Sequence, residues 1–121
     1  MSTTAITPKI PSGSTNGRGI KVAATSTPGT TIHTATSTSG EIDEITIYAN
    51  NSDSSARTLT IELGGTTSPD DVVQTSIPAT PAGWTPIVVA HRLTGGVVVK
   101  AFCSAANVVS VWAEVTRFAT A

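Results

Sequence analysis

The chain has 121 residues, a formal net charge of −1 and only 12% charged side chains, against about 25% in an ordinary soluble domain. It has no basic cluster to neutralise a row of phosphates and no basic amphipathic segment for a lipid surface, so neither nucleic acid nor membrane is an expected partner. Its length suits one domain, and the polar start leaves roughly ninety residues for a core, a size at which subunit association adds usefully to a thin stability margin.

Residues 1–17 are rich in Ser, Thr, Pro and Gly, and Pro8, Pro11, Gly13 and Gly17 block any helix. Too little apolar surface is present to offset the entropy of ordering. The segment therefore reads as an extended N-terminal arm that something else must hold: a neighbouring subunit in the first place, the face of its own domain in the second. Residues 18–121 then form the folded domain.

From Gly19 onward the strand signals follow one another. IKVAAT is punctuated by Thr27-Pro28-Gly29, TTIHTAT by the turn Ser37 to Gly40, and EIDEITIYAN places Ile45, Ile47 and Ala49 on one face. A polar loop over Asn50 to Ser55 leads to ARTLTIEL, which puts Leu59, Ile61 and Leu63 inward and Thr58, Thr60 and Glu62 toward water, and which stops at Gly64-Gly65. At Ser68-Pro69-Asp70-Asp71 the cap residue, proline and acids suit one helical turn as well as they suit the strand DVVQTSI. After IPATPAG and WTPIVVA comes the longest apolar stretch, Leu93 to Phe118. Val97, Val99, Ala101 and Cys103, then Val109, Val111, Ala113 and Val115, recur at every second residue, and a final hairpin accounts for them. About eight short strands at regular spacing predict an all-β fold, a single β-sandwich or jelly-roll-like domain with an extended N-terminal arm.

Little here promises chemistry. His33 and His91 are the only histidines and Cys103 the only cysteine, and they form no zinc-ligand pattern. Cys103 shares the strand phase of Val99 and Ala101 and reads as a small buried apolar residue. The pairs Asp43-Glu44 and Asp70-Asp71 are consecutive, so on a strand their carboxylates point to opposite faces and do not meet as acid and base. There is no GxSxG, Walker loop or GxGxxG, and Gly64-Gly65 and Gly95-Gly96 read as hairpin turns. Neither catalysis nor a cofactor nor a metal is expected. The start of the chain lacks a charged n-region and an apolar h-region, which implies a soluble product made in the cytoplasm.

The aromatics are few. Trp112 alternates with the inward valines and so lies on the opposite face with Ser110 and Glu114, while Trp84 follows Pro81-Ala82-Gly83 in a loop. Each is either ordinary packing or the anchor of an interface. With Ile6 and Ile10 of the arm they make up the candidate contact residues.

At GGTTSPDDVVQTSIPA and LTGGVVVKAFCSAANVVSVWAEVTRF the chain resembles small β-rich virion proteins encoded among the head and neck genes of tailed bacteriophages, over about residues 30 to 118. The resemblance implies a capsid decoration, or cement, protein on the capsid exterior, bound to the major capsid protein or other virion subunits and forming a homo-oligomer, a trimer first. It brings no catalytic or ligand residues. A neck, collar or tail position is the alternative within the virion; a carbohydrate- or receptor-binding β-module, with Trp84 or Trp112 exposed near Asn107 or Arg92, is the alternative outside it.

Overall fold

Val109, Val111 and Val115 are buried, whereas the residues between them are not, the period of a strand with one face in a core. The computed structural model describes residues 3–120, and among them nine strands form two antiparallel sheets packed together. The strands are β1 (Thr3–Lys9), β2 (Ile20–Lys21), β3 (Thr30–Thr34), β4 (Glu41–Asn51), β5 (Arg57–Leu63), β6 (Val72–Ile77), β7 (Thr85–Leu93), β8 (Val98–Cys103) and β9 (Val109–Thr120). Sheet A has the order β1-β9-β4-β7, with β2 also on β9; sheet B has the order β3-β8-β5-β6. The all-β sandwich is thus as the strand periodicity implied.

The core lies between the sheets and takes one side of each strand: Ile45, Ile47 and Ala49 from β4, Leu59 and Ile61 from β5, Val99, Ala101 and Cys103 from β8. Pairing is another matter. Only β5 and β6 pair with a sequence neighbour; from β2 onward every other connection leads from one sheet to the other. The expected final hairpin does not exist as such, because β8 belongs to sheet B and β9 to sheet A. Their two inward rows face each other across the core instead of lying side by side. Gly95-Gly96 likewise lies at a crossing between sheets, not in a hairpin turn. Alternation reports which face a side chain takes and is silent about the strand's partner.

Three further expectations change. Ser68 to Gln74 opens no helix: Asp71 N–H donates to Thr67 C=O at 2.8 Å in a turn, and Val72 and Val73 then pair with Glu62 and Ile61. Thr60 and Glu62 do point away from the core, yet they are 4% and 1% exposed, because the loop before β3 folds over them. Thr27 Oγ1 and Gly29 N–H donate to the two Glu62 carboxylate oxygens. Only glycine fits there, since a Cβ on Gly29 would stand 2.6 Å from the Ala101 backbone. Finally, the arm over 1–17 is extended across Thr3–Lys9 but pairs with β9 of its own chain, from Lys9↔Val115 to Thr3↔Thr120, so the second of the two placements weighed for it is the one present.

Two substitutions probe these local constraints. Ala90 sits in the β7 bulge at φ 52° with its N–H donating to Thr46 Oγ1, a conformation that costs a residue with a Cβ roughly 1 kcal/mol or more. Ala90→Gly is expected to raise the unfolding free energy by about 0.5 kcal/mol after glycine's larger unfolded-state entropy is set against the relief. Gly29→Ala, by forcing β8 backbone to shift, is expected to lower it by about 2 kcal/mol. Urea unfolding of both variants measures the two signs.

Candidate functional site

Asp43 occupies the inward phase of β4, where the flanking inward residue is Ile45, so the fold must satisfy a carboxylate inside the sandwich. It is fully buried. Directly opposite on β9 stands Arg117, whose Nε donates to Oδ1 at 2.7 Å and Nη2 to Oδ2 at 2.9 Å. From the other sheet His33 Nε2 donates to Oδ2 at 2.9 Å, and Thr36 N–H does so at 3.0 Å. These four donors match the lone-pair capacity of a carboxylate, and among the described residues no buried side-chain polar atom lacks a partner.

Burial pushes the Asp43 carboxyl up, but the Arg117, His33 and Thr36 hydrogen bonds and the guanidinium charge outweigh it and hold the group at about 2, below its ordinary 3.8. Asp43 in return raises Arg117. The second ring nitrogen of His33, Nδ1, accepts from Ser12 N–H at 3.0 Å, which fixes the tautomer as Nε2–H. Ser12 Oγ accepts from Thr34 N–H at 2.8 Å, and Gly13 N–H donates to Ile32 C=O at 2.9 Å. The segment after the arm is therefore clasped onto β3.

Ser12, His33 and Asp43 sit together, but a nucleophilic serine needs its hydroxyl on a free imidazole nitrogen. Here that nitrogen is taken by a main-chain N–H and the hydroxyl by Thr34. What the cluster does is tie sheet A, sheet B and the N-terminal segment at one point.

The outer faces of the two sheets differ in chemistry. On sheet A, Tyr48 and Trp112 are direct cross-strand partners; Trp84, from the loop before β7, stacks on Tyr48 at 5.3 Å with planes 22° apart and stands 5.6 Å from Trp112. The stack half-buries Trp112 and leaves Trp84 57% exposed. Toward the other end of the same face Ile6, Phe118 and Ile42 form one cross-strand row, with Arg92 held over Phe118 at 5.9 Å while it pairs with Glu44. Ile6, Ile10, Trp84 and Val89 are the exposed large apolar side chains among the described residues, and all four lie on sheet A or on the segments joined directly to it.

Sheet B presents the rows Gln74, Thr60, Phe102 and Val72, Glu62, Lys100. Two adjoining concavities of about 410 and 330 Å³ lie there, sharing Glu62 and Thr66. That face mixes hydroxyl, amide and charged groups with the apolar side chains of Phe102, Val72 and Pro69.

All four candidate contact residues are thus located: Ile6 and Ile10 exposed on and just after β1, Trp84 exposed, Trp112 beneath it. His91 is exposed on β7, and Cys103 is buried with a free thiol. Among the described residues no three His, Cys, Asp or Glu side chains are grouped to hold a metal ion. What sequence reasoning passed over is the buried tie, whose members stand 10 and 74 residues from Asp43 in the chain. A signal existed: Asp43 and Arg117 both fall in the inward phase of their strands, where a charge must have a buried partner.

The fold and its surfaces thus define a β-sandwich whose exposed large apolar side chains, among the described residues, lie on sheet A or the segments joined to it. No protein-family model, curated protein or solved structure matches the chain.

The lowered Asp43 pKa carries a pH dependence. A folded-state value below the unfolded one gives stability that is complete above the unfolded pKa, near 4, and is lost as pH falls through the folded value of about 2. A shift of this size corresponds to about 2 kcal/mol. Asp43→Asn is expected to cost about 3 kcal/mol at pH 7 by leaving Arg117 unpaired, with the gap to the parent closing between pH 5 and 2. Urea titrations at pH 7, 4 and 3 measure it, and a gap that stays constant with pH would remove Asp43 as the titrating group.

Proposed function

We propose that the chain is a structural virion protein that binds and stabilises a tailed-phage capsid lattice from outside, as cement, docking through the outer face of sheet A and the adjoining β1 edge. The observation that carries this reading is the asymmetry of the two faces. Exposed apolar side chains collect on sheet A, with the stacked Tyr48, Trp84 and Trp112 at one end and Ile6, Ile42 and Phe118 at the other, whereas among the described residues none of the exposed large apolar side chains lies on sheet B. Aromatic residues with a rigid backing are the usual anchors of a protein interface, and here two apolar clusters stand at the ends of one face, with the polar pairs Thr46–Glu114 and Glu44–Thr116 between them. The resemblance to head and neck proteins supplies the partner, the major capsid protein. A ligand of the assembled shell stabilises that shell by mass action.

A second reading, a carbohydrate- or receptor-binding module, is favoured by one feature. Trp84 stays 57% exposed although it stacks on Tyr48, which suits a sugar-stacking ring, and Arg92 is exposed on the same sheet.

Co-sedimentation with empty heads built from the co-encoded capsid protein tests the first reading. Binding near one copy per capsid protein or per lattice axis is expected, and Trp84→Asp combined with Val89→Asp, both on exposed side chains, is expected to abolish it while the domain stays folded. Undiminished binding by that variant would sink the docking face. Saturation at a few copies per particle would move the protein to the neck or tail, and binding to a glycan array but not to heads would favour the second reading.

A further inference from the structure

The arm and its clasp behave as two different things. Every side chain from Ala5 to Ile10 is exposed, so β1 is held on β9 almost wholly by main-chain hydrogen bonds along Val115–Thr120. Pro11, by contrast, is buried, and Ser12 and Gly13 are bonded to His33 and Ile32. A Cβ on Gly13 would lie 2.4 Å from Thr31 O, which shows how closely the clasp backbone approaches β3. Between the two lies Ile10, outside any strand and 55% exposed. The clasp is anchored in the body, the strand only laid along its edge.

We infer that β1 is an exchangeable strand, and that a second copy of this chain supplies Thr3–Lys9 to the β9 edge while the Pro11–Ser14 clasp stays in place as the hinge. The partner is specified by the structure itself: the occupant that the β9 edge accepts is this very segment, and every other copy carries it. Exchange therefore remakes the same ladder, which is why such swaps come at low cost. Seven residues of strand reach about 23 Å from the hinge, far enough to cross to an adjacent domain of this size.

Two features favour exchange over simple edge addition. Pro8 lies within β1, a place proline takes only on an edge strand with its missing N–H turned to solvent. The outer edge of β1 is thus one donor short for a further strand. Ile6 and Ile10, 64% and 55% exposed, find no cover in their own chain, and two bodies drawn together along this edge would cover them. Passed from each copy to the next, the arms close into a ring with no β9 edge left unpaired.

This inference concerns copies of the chain alone and stands apart from the capsid reading, so purified protein tests it. In a Cys103→Ala background, one chain carries Pro8→Cys and a second, lengthened by a tag, carries Thr116→Cys; positions 8 and 116 are direct cross-strand partners, within disulfide reach. After mixing, incubation at high concentration and mild oxidation, the expected result is a non-reducing gel band at the mass of one tagged plus one untagged chain, in excess over both homodimers. Circular dichroism of each chain confirms that both are folded. If the mixture stays monomeric, or yields hetero- and homodimers in random proportion, while a single chain bearing both cysteines closes its own disulfide, the arm does not exchange and the inference fails.

Discussion

The antiparallel ladder between β4 and β9 is the constraint on which the rest of the molecule depends. It runs unbroken from Glu41↔Ala119 to Asn51↔Val109, joining strands that lie on opposite sides of four intervening ones. Because side chains alternate, a slip of one residue in this ladder would turn Trp112 and Glu114 into the core and expose Val111 and Val115. Asp43 and Arg117 stand opposite each other within it and bond in two places. A buried ion pair adds little net stability over an apolar pair of the same shape, but a shifted register would separate Arg117 from Asp43 and leave the buried carboxylate without its guanidinium partner. The pair therefore acts chiefly as a pin: the observed register is the one in which the two charges meet.

The same ladder sets the character of the surface. With β4 on one side of β9, only the other edge of β9 is open, and it is divided between β2 and β1. The inward row of β9 is spent on the core, so its outward row, Trp112 through Phe118, decides what sheet A shows to solvent. Trp112 recruits Trp84 and Tyr48, and Phe118 recruits Arg92 and Ile6. On sheet B the outward row of β8 holds Phe102 beside Lys100. The outward positions on β5 are Thr58, Thr60 and Glu62, and Glu62 is given over to fastening the loop at Thr27 and Gly29. The difference between the two faces is thus a direct consequence of which residues alternate with the core in these strands.

These relations also explain how much of the structure could be read from the chain. Faces were legible wherever valine and isoleucine alternate: the inward rows of β4, β8 and β9 are as their periodicity implies, as is the outward placement of Trp112. Partners were not, because alternation carries no information about which strand lies alongside, and here nearly every strand pairs at long range. The rows of β8 and β9 therefore looked like a hairpin when they are the two walls of the core. Glu62 looked solvent-facing because nothing local tells that a loop thirty residues earlier returns to cover it. The tie at Asp43 was half legible, since a carboxylate in an inward phase demands a partner, but the identity of His33 and Arg117 follows only from the topology.

A chain with so few charges also constrains how its surface can work. Ion pairs on an exposed face are weak and fade with salt, and among the described residues the outer face of sheet A carries one, Glu44 with Arg92. Any partner of that face must then be held by apolar burial and by main-chain pairing along an edge, interactions that depend on shape and register far more than on ionic conditions. Both elements are present on the same sheet, at its two ends: the Tyr48, Trp84 and Trp112 cluster at one, and the β1–β9 edge beside Phe118 at the other. For a small domain with a thin stability margin, a partner on this face would couple folding to assembly, because whatever covers Trp84, Val89 and Ile6 would also reinforce the strands that carry them.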